Sequence, residues 1–471
     1  MGGIPMSRPN VLVLLTDDQR FDTIAALGNE KVHTPNLDRL VRRGTSFTRA
    51  AIMGGSCGAV CMPSRAMLHT GRTLYRIADK GETIDPAHVT LGEHLARNGY
   101  STWACGKWHN GREAFARSFG GGAEIFFGGM ADHWNVPVYD YDPSGKYDAT
   151  LPCCKDAFHS NELEHRHADH IRCGVHSSTL LADAAVQALR EQSGDRPFFL
   201  YVAFLAPHDP RTMPQRFRER YDPDRIELPP NYLPVHPFDN GSLAGRDEEL
   251  ESWPRTEQAI RRHVAEYYGM ISHLDHEIGR ILDVLEAGGL GESTIVVLAG
   301  DNGLACGQHG LMGKQSLYEH SVRVPLIFAG PGIPADARRE QFCYLSDIYP
   351  TLCDLADLDI PDTVEGRSLR PDIQRDAPGP ATRYHCFQRV QRAVRDGRYK
   401  LIEYVVDGWR RTQLFDLRED PWEMRNLAGE RAASAELARL RKELVRLRDE
   451  HDDHRAGQGG DFWAGFAAEG P

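Results

Sequence analysis

Four short runs rich in Val, Ile, Leu and Phe, at residues 11–15, 198–205, 295–298 and 326–328, alternate with stretches whose apolar residues recur every three or four positions. A strand covered on both faces reads as an unbroken apolar run, whereas a helix lying on a sheet reads as a stripe. The alternation predicts an α/β fold with a large sheet, mixed but mostly parallel, flanked by helices. Thr34-Pro35 ahead of Leu37 and Leu40, with Gly44 as the stop, marks one helix. Thr90 and Glu93 form a capping-box signal for another that ends by Gly99. Longer helices are predicted over 177–192 and about 256–287, where Ile260, Val264, Tyr267, Ile271, Leu274, Ile278 and Ile281 repeat at helical spacing.

Residues 362–383, rich in proline and charge, read as a connector, which places a boundary near residue 375. The predicted units are a catalytic α/β domain over 1–375, a smaller α+β subdomain over 376–455 and a Gly-rich tail over 456–471. In the subdomain, strands are expected at 393–406 and 412–417 around the hairpin signal Asp407-Gly408, followed by a charged helix over about 431–450. The tail carries Phe462, Trp463 and Phe466 and either docks or moves freely. No internal repeat is present.

A chain of 471 residues with 41% hydrophobic and 26% charged residues is long enough for a sizeable core and is neither disordered nor fibrous in composition. The net charge of −12 argues against nucleic acid as a partner and requires that any anionic substrate meet a local basic pocket. No apolar run reaches the roughly 18 residues of a membrane helix, so no membrane partner is expected. Residues 1–10 lack a signal-peptide pattern, and Met6 stands where a myristoylation motif needs Ser or Thr. A cytoplasmic protein is expected, with export left open if the N-terminus was trimmed. Ten cysteines are too sparse for a disulfide scaffold.

Three apolar runs lead directly into chemistry: 11–16 into Asp17-Asp18, 198–206 into His208, and 295–300 into Asp301-Asn302. Ligand sites of open parallel sheets lie beyond the carboxyl ends of strands, and this oxygen-rich set suits a hard cation such as Ca²⁺ or Mg²⁺. Either pair alone reads more readily as turn or cap residues, a reading that recurrence at two strand ends weakens. In the segment 61–72, Pro63 suits a first helical turn and Gly71 a stop, which places Cys61 at the helix N-terminus with Arg65 one turn on. A nucleophile there faces an anionic substrate; the alternative is a buried free cysteine. Lys107 and His109 are two apart and share a face if extended.

Cys61-x-Pro63-Ser64-Arg65, with Thr70-Gly71-Arg72, is similar to the signature of the formylglycine-dependent sulfatases of the alkaline phosphatase superfamily. Gly99-Tyr100-Ser101-Thr102 with Gly106-Lys107-Trp108-His109 resembles that family's second signature. Asp301-Asn302-Gly303, Gly307-Gln308-His309-Gly310 and Gly313-Lys314 resemble its third cluster. Residues 10–18, Pro207-His208, Arg323-Val324-Pro325, Leu414-Phe415-Asp416-Leu417 and Asp420-Pro421 also fit in order, so the resemblance spans about 8–430. Cys105 and Gln308 are small departures from it.

The resemblance implies an alkaline phosphatase-like fold and a Cys61 oxidised to formylglycine by a maturation enzyme, its hydrate being the nucleophile. Asp17, Asp18, Asp301 and Asn302, with residue 61, would hold Ca²⁺, or Mg²⁺ in its place. Lys107 and Lys314 would clamp sulfate oxygens and Arg65 would steady residue 61. His208 would contact the sulfate and help protonate the leaving oxygen, and His109 would assist the step that expels sulfate. The expected activity is hydrolysis of a sulfated small molecule or oligosaccharide. A phosphonate or phosphate ester hydrolase with the same nucleophile is the alternative, and an anion- or metal-binding protein without catalysis is a third reading.

Residues 153–176 concentrate Cys153, Cys154, His159, His165, His167, His170, Cys173 and His176. The expectation is a lid over the substrate pocket, with a solvated loop or a zinc site as alternatives. Trp253, Arg255 and His236 are weaker candidates for the leaving-group pocket.

Overall fold

Val11 to Leu15 are fully buried and divide by parity between the two sides of one sheet. Val11, Val13 and Leu15 join the core on one face, whereas Leu12 and Leu14 join the core on the other, as the two-residue repeat of a strand requires. Each such side chain withdrawn from water contributes about 1.5–3 kcal/mol before chain entropy is subtracted. The computed structural model describes residues 8–192, 194–455 and 457–468. Met6 and the rest of residues 1–7 lie outside the described residues.

The eight strands are β1 (Asn10–Thr16), β2 (Gly44–Phe47), β3 (Ser101–Lys107), β4 (Gly122–Phe126), β5 (Phe198–Ala203), β6 (Thr294–Gly300), β7 (Leu326–Ala329) and β8 (Ala337–Arg339). Their order is β8-β2-β7-β6-β1-β5-β3-β4. β6, β1, β5, β3 and β4 are mutually parallel, and β7 runs against both of its neighbours. Thr16 pairs with Gly300, Leu15 with Ala203, and Ala203 with Gly106, so the polar residues after four of these strands emerge along one edge.

Helices α1 (Pro35–Arg43), α5 (Ser177–Arg190) and α6 (Glu257–Ala287) cover the face that carries Leu12 and Leu14. Helices α2 (Cys61–Thr70), α3 (Leu91–Arg97), α4 (Arg112–Ser118) and α7 (Ile348–Leu355) cover the other. The capping box forms on α3, where Thr90 accepts from the Glu93 N–H at 3.2 Å. Among the described residues no helix is long and apolar enough to cross a membrane.

A second sheet contains β9 (Arg383–Phe387), β10 (Gln391–Arg395), β11 (Tyr399–Val406) and β12 (Trp409–Asp416). It is an antiparallel meander whose fifth strand is Gly54–Gly55 from the loop leading into α2. Residues 393–406 are therefore two strands rather than the single one expected. Asp396 turns the chain between them by accepting the N–H groups of Arg398 and Tyr399 at 2.7 and 2.6 Å. Asp407 and Gly408, both at positive φ, form the expected hairpin turn. Helix α8 (Ser434–Glu450) packs on this sheet. The tail docks as α9 (Gly457–Ala468), burying Phe462 and Trp463 beside Leu440, Leu444 and Leu447. The Trp463 indole donates to Asp453 at 3.0 Å, and Arg392 holds the same carboxylate.

Candidate active site

The parallel edge collects residues from five distant segments. Asp17 and Asp18 follow β1, Lys107 ends β3, His208 follows β5, and Asp301-Asn302 follow β6. Cys61 opens α2, which Gly71 ends at φ 64°. Of the residues expected from the sequence at this site, Asp17, Asp18, Cys61, Arg65, Lys107, His208, Asp301, Asn302 and Lys314 are buried and His109 is half-buried.

Lys107 Nζ lies 3.4 Å from Cys61 Sγ and 2.5 Å from Asp17 Oδ2. His109 Nδ1 is 3.5 Å from the same sulfur. On the far side, Lys314 donates to Asp18 Oδ1 at 2.7 Å and Asn302 Nδ2 does so at 2.6 Å. Arg65 donates from Nε to Asp301 Oδ2 at 2.9 Å and from Nη1 to the Lys107 carbonyl at 2.6 Å. Ser64 ties α2 to β6 by donating to the Asp301 carbonyl at 2.5 Å. His208 Nδ1 donates to the Asp209 carbonyl at 2.8 Å, which leaves Nε2 facing Asp18 Oδ2 at 3.6 Å.

Burial pushes the Cys61 thiol up to about 11 although Lys107 and Lys314 pull the other way, so at neutral pH residue 61 is a thiol rather than a thiolate. Burial also raises Asp17, but Lys107, His208 and Arg65 outweigh it and hold this carboxylate well below its ordinary range. Asp301 is pushed up to about 7 by burial and by Asp17 beside it. Burial works against the Lys107 ammonium, which Asp17 and Cys61 nevertheless keep raised. Burial lowers His109 to about 2, with Lys107 and Arg65 adding to the effect, so its ring is neutral.

Three carboxylates packed together resist joint ionisation without a cation, and two oxygens here are poised for one. Asp17 Oδ1 and Asn302 Oδ1 are buried without a hydrogen-bond partner. Among the described residues, the groups of side chains whose ligand atoms converge within 4.8 Å are Asp17, Asp18 and His208, and Asp17, Cys61 and Asp301. The donor set is oxygen-rich and fits a hard divalent ion.

A cleft of about 1140 Å³ opens above Cys61, His109, His208 and Lys314. Its outer walls come from residues 239–247 and from the second sheet at 387–390 and 405–407, which the sequence reading did not assign to the site. Their hydrophobicity and turn signals are ordinary, and only the packing of remote segments brings them together. Arg246 on one wall is bound by Asp209, at 2.9 Å through Nη1, and by Asp247 at 3.0 Å.

The weaker candidates lie elsewhere. Arg255 is fully buried, pairs with Glu248 at 2.7 Å and stacks on Trp253, and His236 donates from Nδ1 to the His309 carbonyl at 2.8 Å; none of Trp253, Arg255 and His236 lines the cleft. Residues 150–167 form an exposed hairpin, Thr150–Cys154 against Leu163–His167, rather than a lid; beyond it His170 pairs with Glu124 and His176 is buried, and none of residues 153–176 lines the cleft. The thiols and imidazoles of residues 153–176 form no metal-ligand group among the described residues; on the hairpin Cys154, His159, His165 and His167 are exposed and Cys153 is half-buried, and His176 caps the next helix.

The sequence profile of the sulfatase family matches residues 9–358, and that of the C-terminal region of N-sulphoglucosamine sulphohydrolase matches residues 307–450. The chain belongs to the sulfatase family and is an enzyme, a sulfatase. It is 27% identical to an arylsulfatase of Clostridium perfringens, over 93% of this chain and 94% of that one. It is 25% identical to the N-acetylglucosamine-6-O-sulfatase of Bacteroides thetaiotaomicron, over 94% and 86%. Among solved structures, a phosphonate monoester hydrolase of Agrobacterium radiobacter matches with a TM-score of 0.74 at 22% identity, over 94% of this chain and 96% of that one. A protein solved with its substrate D-glucosamine-2-N,6-O-disulfate matches with a TM-score of 0.73 at 20% identity, over 95% and 99%. At these identities the structural likeness speaks for the fold.

Proposed function

We propose that this sulfatase hydrolyses the sulfate ester of a sulfated carbohydrate, with residue 61 acting as formylglycine and with Ca²⁺, or Mg²⁺ in its place, on Asp17, Asp18, Asp301 and Asn302. The observation that carries the reading is the position of residue 61. It heads a buried helix, with the Lys107 ammonium 3.4 Å from its sulfur and orphaned carboxylate and amide oxygens in the same pocket. Burial holds the thiol protonated, which disfavours a thiolate as the nucleophile.

Formylglycine hydrate would supply a hydroxyl nucleophile, and a divalent cation held by Asp17, Asp18, Asp301 and Asn302 would lower the proton affinity of that hydroxyl and polarise the sulfuryl group. Lys107 and Lys314 hold the sulfate oxygens and meet the charge that develops on them, which is where sulfuryl transfer gains most, as phosphoryl transfer does. Arg65, fixed between Asp301 and the Lys107 carbonyl, keeps the head of α2 in register with the metal carboxylates. His208 presents Nε2 toward the leaving oxygen. His109, with Nδ1 3.5 Å from the residue 61 sulfur, is placed to take the proton of the second hydroxyl as the aldehyde carbonyl re-forms and the C–O bond to sulfate breaks. The carbohydrate assignment is supported by the size of the cleft, by polar side chains such as Asp239, Arg246, Gln388 and Arg389 on its walls, and by relatives named as an N-acetylglucosamine-6-O-sulfatase and an ulvan-active sulfatase.

Two measurements test this. Mass spectrometry of the tryptic peptide 50–65 from protein made with a formylglycine-generating enzyme is expected to locate a thiol-to-aldehyde change at Cys61 rather than Cys57. The kcat/KM values for sulfated mono- and disaccharides are expected to exceed those for phosphate and phosphonate esters by at least a hundredfold. An unmodified Cys61 in fully active enzyme, or a preference for phosphonates, overturns the reading.

A further inference from the structure

His133 and His176 stand at the two ends of the segment that carries the exposed hairpin, and the fold returns them to one place. Their rings stack with centroids 5.0 Å apart and planes 3° from parallel. Both side chains are buried. His133 Nε2 lies 2.9 Å from the backbone carbonyl of His208, and His176 Nε2 lies 2.9 Å from that of Thr212. A carbonyl can only accept, so in both rings Nε2 carries the hydrogen. On the other side, His176 Nδ1 accepts the Ser178 N–H at 3.2 Å, and His133 Nδ1 is 2.7 Å from Ser177 Oγ. Both partners belong to the first turn of α5, whose orphan N–H groups disfavour an imidazolium. Burial lowers His133 to about 4 and His176 to about 2, in keeping with two neutral rings.

The geometry points to His133 as a positioning residue for His208: stacked on His176 and anchored on Ser177, it holds the His208 backbone so that Nε2 stays directed at the leaving oxygen. The inference rests on the proposed role of His208. The His208 ring is restrained through Nδ1 by the Asp209 carbonyl, and the peptide that carries it is restrained by His133. The hairpin segment thus contributes through the histidines at its base, while its exposed cysteines and histidines stay clear of the cleft. Misplacing a proton donor by about 1 Å is enough to cost about 10²-fold in rate.

The test is the dependence of kcat on leaving-group acidity across aryl sulfates from 4-nitrophenyl to phenyl and methoxyphenyl esters. His133→Leu is expected to lower kcat about 10–100-fold for the poorest leaving groups and less than about threefold for 4-nitrophenyl sulfate, with KM changed less than about threefold. His133→Gln, which keeps a donor near Nε2, is expected to recover most of that loss. In a His208→Ala background, His133→Leu is expected to add less than about twofold. A uniform loss on all esters, or an equal loss with and without His208, overturns the positioning role. If His208→Ala alone leaves the leaving-group slope unchanged, it is the assignment of His208 that fails, and the coupling between the two variants still decides whether His133 acts through it. If His133→Leu does not fold, Ser177→Ala is read on the same slope: steepening supports the inference, and a wild-type slope overturns it.

Discussion

Within helix α2, His69 shows what burying an unpaired imidazole costs the fold. It lies one turn beyond Arg65, fully buried between Trp108 at 4.2 Å and Tyr201 at 4.8 Å between ring centroids. Neither ring nitrogen has a partner. Burial, with Arg65 nearby, lowers the imidazole to about 3, so it is neutral in the folded protein, whereas the unfolded chain takes up a proton below about pH 6.5. Folding stability is therefore lost as pH falls through that window. His69→Leu is expected to stabilise by about 1–3 kcal/mol at pH 7, the cost of burying unpaired polar atoms. The gain should widen by about 1.4 kcal/mol for each pH unit below 6.5. Urea unfolding at pH 7 and pH 5 checks both figures, and a loss of stability would mean that the two nitrogens are satisfied by buried water.

Secondary-structure elements from separate parts of the chain meet at Gly54. It pairs with Cys386 at the edge of the second sheet at φ 114°, and a Cβ there would lie 1.8 Å from the Cys386 carbonyl oxygen. Only glycine permits both the backbone conformation and the close approach. The pairing fixes the loop that runs into Cys61 to the strand that leads to the cleft wall at 387–390. Gly54→Ala is expected to cost about 2–4 kcal/mol, from strain plus a broken strand pair, and to lower kcat by loosening the start of α2. Thermal unfolding and turnover measured on one preparation test the link; a destabilised variant with unchanged kcat would separate the pairing from the site.

Across the whole molecule, buried neutral histidines set the acid limit. Burial lowers His69, His133, His176, His236, His263 and His309 to about 3, 4, 2, 4, 4 and 3. Each binds a proton in the unfolded chain below about pH 6.5 and not in the folded one, so each subtracts roughly 1.4 kcal/mol per pH unit until its own folded value is reached. Asp275 and Asp347, raised to about 6 by burial, act in the opposite direction but are outnumbered. Stability is expected to drop by several kcal/mol between pH 6.5 and pH 5, with Tm falling in step. A flat Tm profile over that range would show that these rings are protonated in the folded protein.

The candidate site residues that the fold brings together follow from local order. An apolar run ending in Asp17-Asp18 or Asp301-Asn302 reports a buried strand with acceptors at its exit, and the spacing from Cys61 through Pro63 and Arg65 to Gly71 encodes a helix with a defined start and stop. Such signals depend on neighbours within one turn or one strand, so they survive without knowledge of the fold. The cleft walls at 239–247 and 387–390, the docking of α9, the stacked pair His133 and His176, and the burial of Arg255 away from the cleft are contacts between remote segments. No local pattern distinguishes a histidine that braces a loop from one on an exposed ribbon. Which of the two each becomes is set by what packs against it, and that follows from the closure of the whole chain around the sheet.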